Sequence, residues 1–269
     1  MFIWMDKPSI AEMISVEKLS FSYGDLQVLE NISFDLYYGE FVGVIGPNGS
    51  GKTTLLKCLC RLLKPFGAVY IDGEEISRID FNKLSRKISY TSSELDSSID
   101  GLTVFELVSS GRTPYMKGIW WESGEDERII FDSIRIIGLE DKVNRRIGEL
   151  SSGEKQRAKI ARLLSQTPEI FLVDEPTVHL DLKHQIEIMN ILKSLKLKKK
   201  IVVAVFHDLN LASLYADRII VLKKGQISAI GRPADVLNED ILRDVYGVDV
   251  KILHTGLYGT PIIVPMPSI

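Results

Sequence analysis

The run Gly46-Pro47-Asn48-Gly49-Ser50-Gly51-Lys52-Thr53 decides how this chain is read. It matches G-x-x-x-x-G-K-[ST], a loop that cradles the phosphates of a nucleoside triphosphate. Phe41-Val42-Gly43-Val44-Ile45 before it reads as a buried strand, and Thr54–Leu63 after it reads as a helix. Strand, loop and helix in that order aim glycine backbone N–H groups and a helix N-terminus at one anion. Lys52 then reaches the β- and γ-phosphates and Thr53 ligates Mg²⁺, with Thr54 completing the cradle. Chance supplies this pattern in about one chain of this length in a hundred.

The 269 residues are 45% hydrophobic, enough for one sizeable core with an inserted lobe. The formal charge of −3 gives no basic excess of the kind that marks nucleic acid as the main ligand. One local cluster, Lys193, Lys196, Lys198, Lys199 and Lys200, reads as the solvated end of a helix. No apolar run reaches the length of a membrane span. The start, Met1 to Asp6, lacks the cationic and apolar regions of a secretory signal, so the chain is expected in the cytoplasm. Cys58 and Cys60 point to different faces of the helix after the loop and are expected to be buried, reduced thiols.

Val16–Tyr23 and Ile32–Leu36 alternate as strands, and Val69–Gly73 is a short strand ending in a turn. From Leu102 to Gly138 the apolar spacing (Val104, Leu107, Val108, then Ile129, Ile130, Ile134, Ile137) predicts two helices around a loop at Thr113–Gly124. Beyond Leu150, strands at Ile170–Val173, Ile201–Phe206 and Arg218–Leu222 alternate with helices at Gly153–Ser165 and Lys183–Leu195. That alternation argues an α/β core with parallel strands. A hairpin around Lys224-Gly225, a helix over Pro233–Tyr246 and short strands in a Gly- and Pro-rich tail complete the expectation.

Further motifs follow in order. Asp174 and Glu175 end an apolar strand, where the first acid can hold Mg²⁺ through water and the second can take a proton from an attacking water. Leu150-Ser151-Ser152-Gly153-Glu154 opens a helix with small residues, a second anion site. The same stretch equally fits a serine N-cap with a capping-box Glu154. Asp181 reads as a helix-capping acid, and His207 as a loop histidine at a strand end. Tyr23 ends a half-buried strand.

Together these residues resemble the nucleotide-binding domain of ABC transporters from about Val16 to Pro265. Gly46–Thr53 matches Walker A, Leu150–Glu154 the LSGGQ signature, and Val173-Asp174-Glu175 Walker B with its catalytic glutamate. Asp181 matches the D-loop acid, His207 the switch histidine and Tyr23 the adenine-stacking aromatic. The resemblance implies a P-loop NTPase (RecA-like) core with an antiparallel β subdomain and an α-helical subdomain inserted at about 95–150, all in one domain. It implies ATP and Mg²⁺ as ligands, and a head-to-tail homodimer in which Ser151, Ser152 and Gly153 meet the ATP held by the partner copy's Lys52. Glu175 would polarise the water and His207 would hold it in line. Two integral membrane permease subunits and, indirectly, an external substrate-binding protein are implied, with the chain peripheral on the cytoplasmic face of the membrane.

Within the family, Leu102–Val108, Gly111–Tyr115, His207-Asp208-Leu209-Asn210-Leu211-Ala212 and the tail Gly259–Pro265 look like the iron-chelate, haem and cobalamin importers. A non-transport ABC ATPase, such as one serving iron–sulfur cluster assembly, is the alternative. Trp120-Trp121 falls near where such domains grip membrane subunits, and equally fits an aromatic cluster closing the lobe. The sequence departs from the family at the Q-loop, where Ser93 and Glu94 stand and no glutamine is present. Ser152 and Glu154 also replace the signature's glycine and glutamine.

Overall fold

The computed structural model describes residues 13–92, 97–116, 124–254 and 259–266. β1 (Met13–Tyr23) and β2 (Leu26–Tyr37) form an antiparallel pair. β3 (Phe41–Ile45) leads through the glycine loop into α1 (Lys52–Leu59). β4 (Phe66–Ile71), β5 (Glu74–Glu75), α2 (Phe81–Lys87) and β6 (Ile88–Thr91) follow. A helical lobe holds α3 (Val104–Ser109), a 3₁₀ stretch over Ser110–Tyr115, and α4 (Gly124–Ile136). The alternation resumes with α5 (Ser152–Ser165), β7 (Ile170–Asp174), α6 (Leu182–Leu197), β8 (Ile201–Val205), α7 (Leu209–Tyr215) and β9 (Arg218–Lys223). β10 (Gln226–Gly231), α8 (Pro233–Val236), α9 (Glu239–Tyr246), β11 (Val250–His254) and β12 (Pro261–Pro265) complete the described chain.

The central sheet runs β10-β9-β3-β8-β7-β6. Pairing is parallel from β9 to β6, and β10 adds an antiparallel edge. Every residue of β3, β7 and β8 is buried, as expected of parallel strands covered on both faces. Their side chains alternate between two apolar layers: Phe41 and Ile45 enter one, Val42 and Val44 the other. α1 and the antiparallel sheet β2-β1-β4-β5 cover the second face through Leu55, Leu56, Leu29 and Val16. The helical lobe and α5–α7 cover the first through Val108, Ile134, Ile160 and Leu192.

Two helices end earlier than their apolar content suggests. α1 stops at Leu59 rather than Leu63, because Arg61 turns into the left-handed region at φ 60°. Its guanidinium is then held by the carbonyls of Ile76 and Ile79 at 3.1 and 2.7 Å. The stretch Pro233–Tyr246 is two helices, since the Asn238 side chain accepts the Ile241 N–H at 2.9 Å and starts a new one. The remaining expected strands and the hairpin at Lys224-Gly225 are present. Cys58 is buried and Cys60 half-buried, both unpaired, and burial pushes their thiols up to about 12 and about 11. The lysines do lie at the end of α6, with Lys196 paired to Asp217 at 2.5 Å.

Arg112 ties the helical lobe to the core. Its side chain is only 7% exposed and pairs with Asp126 at 2.8 Å. It donates to the carbonyl of Ser165 at 2.9 Å and lies over the Tyr115 ring at 3.9 Å. The neighbouring Gly111 is required by close approach: a Cβ there would sit 2.5 Å from the Arg162 carbonyl. Removing the buried guanidinium takes a close charge partner from the partly buried Asp126 carboxylate. Arg112→Met should therefore lower stability by about 3 kcal/mol in urea unfolding, and a loss within the error of the extrapolation would show that the clamp carries no weight.

Candidate active site

Parallel pairing brings the C-terminal ends of β3, β8 and β7 side by side. Val44 lies beside Val205, and Val205 beside Asp174. The glycine loop leaves β3, His207 leaves β8 and Glu175 leaves β7 at this one edge, the usual ligand crevice of a parallel sheet.

Gly46 opens the loop at φ 152°, where a Cβ would strike the Leu222 carbonyl and lie 2.6 Å from Ser50 Oγ. Lys52 begins α1 and is 6% exposed. Its ammonium donates to the carbonyls of Gly46 and Pro47 at 2.8 and 3.0 Å, so it lies along the loop itself. Burial lowers its pKa, while the nearby Glu175 and Asp174 carboxylates oppose that shift. Behind the loop, β2 closes the rear wall, with Glu30 N donating to Gly225 O and Gly225 N to Ser50 O at 2.8 and 3.2 Å.

Thr53 Oγ1 donates to Asp174 Oδ2 at 2.7 Å. Asp174 is 1% exposed, and its burial raises the carboxyl pKa against the lowering effect of the Thr53 bond. Its other oxygen, Oδ1, is buried and has no hydrogen-bond partner among the described residues. A hydroxyl beside a carboxylate with an unused oxygen is a hard, oxygen-only donor set that fits Mg²⁺. That ion takes one or two protein oxygens and completes its shell with water and substrate phosphates. Among the described residues no three or more His, Cys, Asp or Glu gather as an all-protein cage.

Glu175 Oε1 lies 2.5 Å from His207 Nε2. Glu175 has φ 51°, an uncommon backbone conformation for a side-chain-bearing residue. Gln156 helps hold it there, its Nε2 reaching the carbonyls of Glu175 and Pro176 at 3.2 and 3.4 Å. Sequence reasoning gave Gln156 no role. The available signal was a polar residue in register with Ile160 and Leu163 on the buried face of α5. Tyr246 was also missed: burial pushes its phenol up to about 12, with the nearby Gly46 backbone opposing the shift.

Ser151 is the N-cap of α5 and forms the capping box with Glu154. Ser151 and Ser152 are nonetheless exposed, and among the described residues no hydrogen bond joins them to the loop at Gly46–Thr53 of the same chain. Asp181 caps α6, accepting from His184 N at 2.9 Å and facing His184 Nδ1 at 2.7 Å. Tyr23 is 48% exposed at the end of β1, edge-on to Phe21 at 4.9 Å. Ser93 and Glu94 lie outside the described residues, but β6 ends beside them with Thr91 paired to Val173, one residue short of Asp174.

A model of the ABC transporter family matches residues 29–178. The petrobactin import ATP-binding protein of Bacillus anthracis is 36% identical, over 94% of this chain and 93% of its own. The ferric enterobactin transport ATP-binding protein of Escherichia coli is 36% identical, over 93% of each. An ATP-binding cassette solved as a dimer with ADP and phosphate, in a post-hydrolysis state, superposes with a TM-score of 0.72 at 33% identity. That match covers 81% of this chain and 98% of the other. The chain belongs to the ABC transporter family. It is an ABC-type ATPase of the P-loop fold, and the non-transport alternative is not favoured.

Two outcomes check this site. If Lys52 serves the phosphates, Lys52→Ala removes a charge-assisted donor, so ATP affinity measured by calorimetry should fall by roughly 10- to 150-fold; unimpaired binding would overturn the assignment. Glu154 is held down to about 2, first by the Lys142 ammonium and then by the Ser151 N–H. A depressed carboxylate stabilises the fold above its unfolded value near 4.3 and loses that contribution as pH falls toward 2. Glu154→Gln cannot titrate, so its melting temperature should vary less than the parent's across that window.

Proposed function

We propose that the chain is a single cassette over residues 1–269 that hydrolyses ATP to power import of an iron chelate such as a siderophore. The observation that carries this reading is the 2.5 Å Glu175–His207 contact at the same sheet edge as the loop of Lys52. In this reading a water oxygen attacks the γ-phosphorus, its proton passes to Glu175, and the bond to the β–γ bridging oxygen breaks to release ADP. His207 keeps Glu175 and the water in line, and Lys52 and the loop N–H groups stabilise charge on the phosphoryl oxygens. Thr53 and Asp174 would hold Mg²⁺, which when bound supplies further charge neutralisation.

The exposed start of α5 fits a site shared between two copies, with Ser151 and Gly153 of one meeting the γ-phosphate bound by the other. Tyr23 would stack on adenine and Asp181 would lie at the junction. A solved cassette that is dimeric with ADP and phosphate bound supports this pairing. No helix of the described residues is long and apolar enough to cross a membrane. An import role of this kind would place the chain peripherally on the cytoplasmic face, bound to two membrane subunits. A groove of about 570 Å³ between core and lobe, bordered by Leu62, Phe81, Pro114 and Arg162, suits such a subunit. Phe81 is 63% exposed there. Trp120 and Trp121, candidates for the same contact, lie outside the described residues. The chelate cargo is supported by relatives named for petrobactin and ferric enterobactin.

Glu175→Gln should lower the hydrolysis rate by roughly 10²–10⁴-fold and accumulate an ATP-bound dimer in light scattering; a monomer at saturating ATP would sink the shared-site reading. For the assembled transporter, Ser93→Gln should leave hydrolysis near the parental rate and alter uptake per ATP. Unchanged values in both would remove Ser93 from the coupling role.

A further inference from the structure

The C-terminal strands reach back to the helix that follows His207. β11 and β12 pair antiparallel, from Val250 opposite Pro265 to His254 opposite Pro261. On its other edge β12 meets α7. The Asn210 side chain donates through Nδ2 to Ile263 O at 3.1 Å and accepts from Ile263 N through Oδ1 at 2.8 Å. One amide thus takes both outward backbone groups of Ile263, as a third strand would. Ser213 adds a bond to the Pro261 carbonyl at 2.6 Å, and the Ile263 side chain is 5% exposed.

His207 sits in a short connection between β8, which ends at Val205, and α7, which starts at Leu209. Its side chain is half exposed, and its hydrogen bond is to Glu175. The position of the ring therefore depends on how firmly the two ends of the connection are held. β8 is fixed inside the central sheet. α7 has seven residues, too few to hold itself by backbone bonds alone. Its first turn is capped by Asp208, which accepts from Asn210 N and Leu211 N. Asn210, in that same turn, is the residue that bolts it to β12.

We propose that Asn210 is a positioning residue for hydrolysis: by clamping Ile263 it fixes the first turn of α7 and so the approach of His207 to Glu175. The C-terminal ribbon is on this account part of the hydrolytic apparatus, acting through a residue that touches neither ATP nor water. The inference rests on the proposed ATPase role of His207 and Glu175.

The test uses the full chain and a double-mutant cycle. Asn210→Ala removes both bonds; Asn210→Asp keeps the acceptor and sets a carboxylate against the Ile263 carbonyl. Both should lower kcat for ATP by roughly ten- to a hundredfold, the range a small misplacement produces. KM and ATP affinity should stay within about twofold, because the loop at Gly46–Thr53 is untouched. In a His207→Ala background the same Asn210 substitutions should cause no further loss, since they act through the missing ring. A purely structural role would instead lower melting temperature and affinity together, or lower kcat equally in both backgrounds, and either result overturns the proposal. Parental kcat in both Asn210 variants would also overturn it, while leaving the ATPase reading intact. Absence of hydrolysis by the parent chain itself would overturn that reading and this inference with it.

Discussion

The parallel ladder of β3, β8 and β7 is the constraint on which the rest depends. Because neighbouring strands run the same way, everything that leaves them at their C-terminal ends emerges at one edge. Three residues distant in sequence, Lys52, Glu175 and His207, therefore meet without any of them contributing much to the core. Such a ladder is stable only when both faces are covered. That explains why an antiparallel sheet with α1 must pack on one side and a helical lobe on the other. The lobe's attachment through Arg112 is thus indirectly a condition for the site.

Much of this was readable because parallel strands leave an unmistakable trace. Ile170–Val173 and Ile201–Phe206 are unbroken apolar runs, and each is followed at once by a polar residue, Asp174 and His207, that breaks the apolar pattern. The phosphate loop was readable for a similar reason, since its glycines answer a backbone requirement. What stayed hidden depends on side chains that act on distant backbone. Arg61 ends α1 through a left-handed turn stabilised by Ile76 and Ile79, contacts that no local pattern encodes. Gln156, Asn210 and Tyr246 are ordinary polar residues until folding brings Glu175, Ile263 and Gly46 beside them.

Several residues serve structure and chemistry at once. Ser151 and Asp181 are helix caps in fact, so reading them as caps was correct. A cap sits where a helix exposes its backbone N–H groups, and that is also where an anion is best received. The two readings were never in competition. A serine that closes its own helix through the capping box also stays at the surface, at the end of α5 that carries the partial positive charge.

The Lys52 ammonium, laid along the carbonyls of Gly46 and Pro47, has a consequence for selectivity. A lysine normally surrenders side-chain freedom of up to about 2 kcal/mol when it is immobilised on a ligand. Here the stem is already ordered and desolvated by folding, so that entropy is lost before any nucleotide arrives. Under the proposed ATPase role, recognition would exchange two neutral acceptors for anionic oxygens, a trade that rewards charge on the ligand more than its size. Ligands that bring only neutral or singly charged groups to the loop would gain little over the carbonyls they displace, so on that proposal preorganisation of one cation would bias the site toward the fully ionised triphosphate.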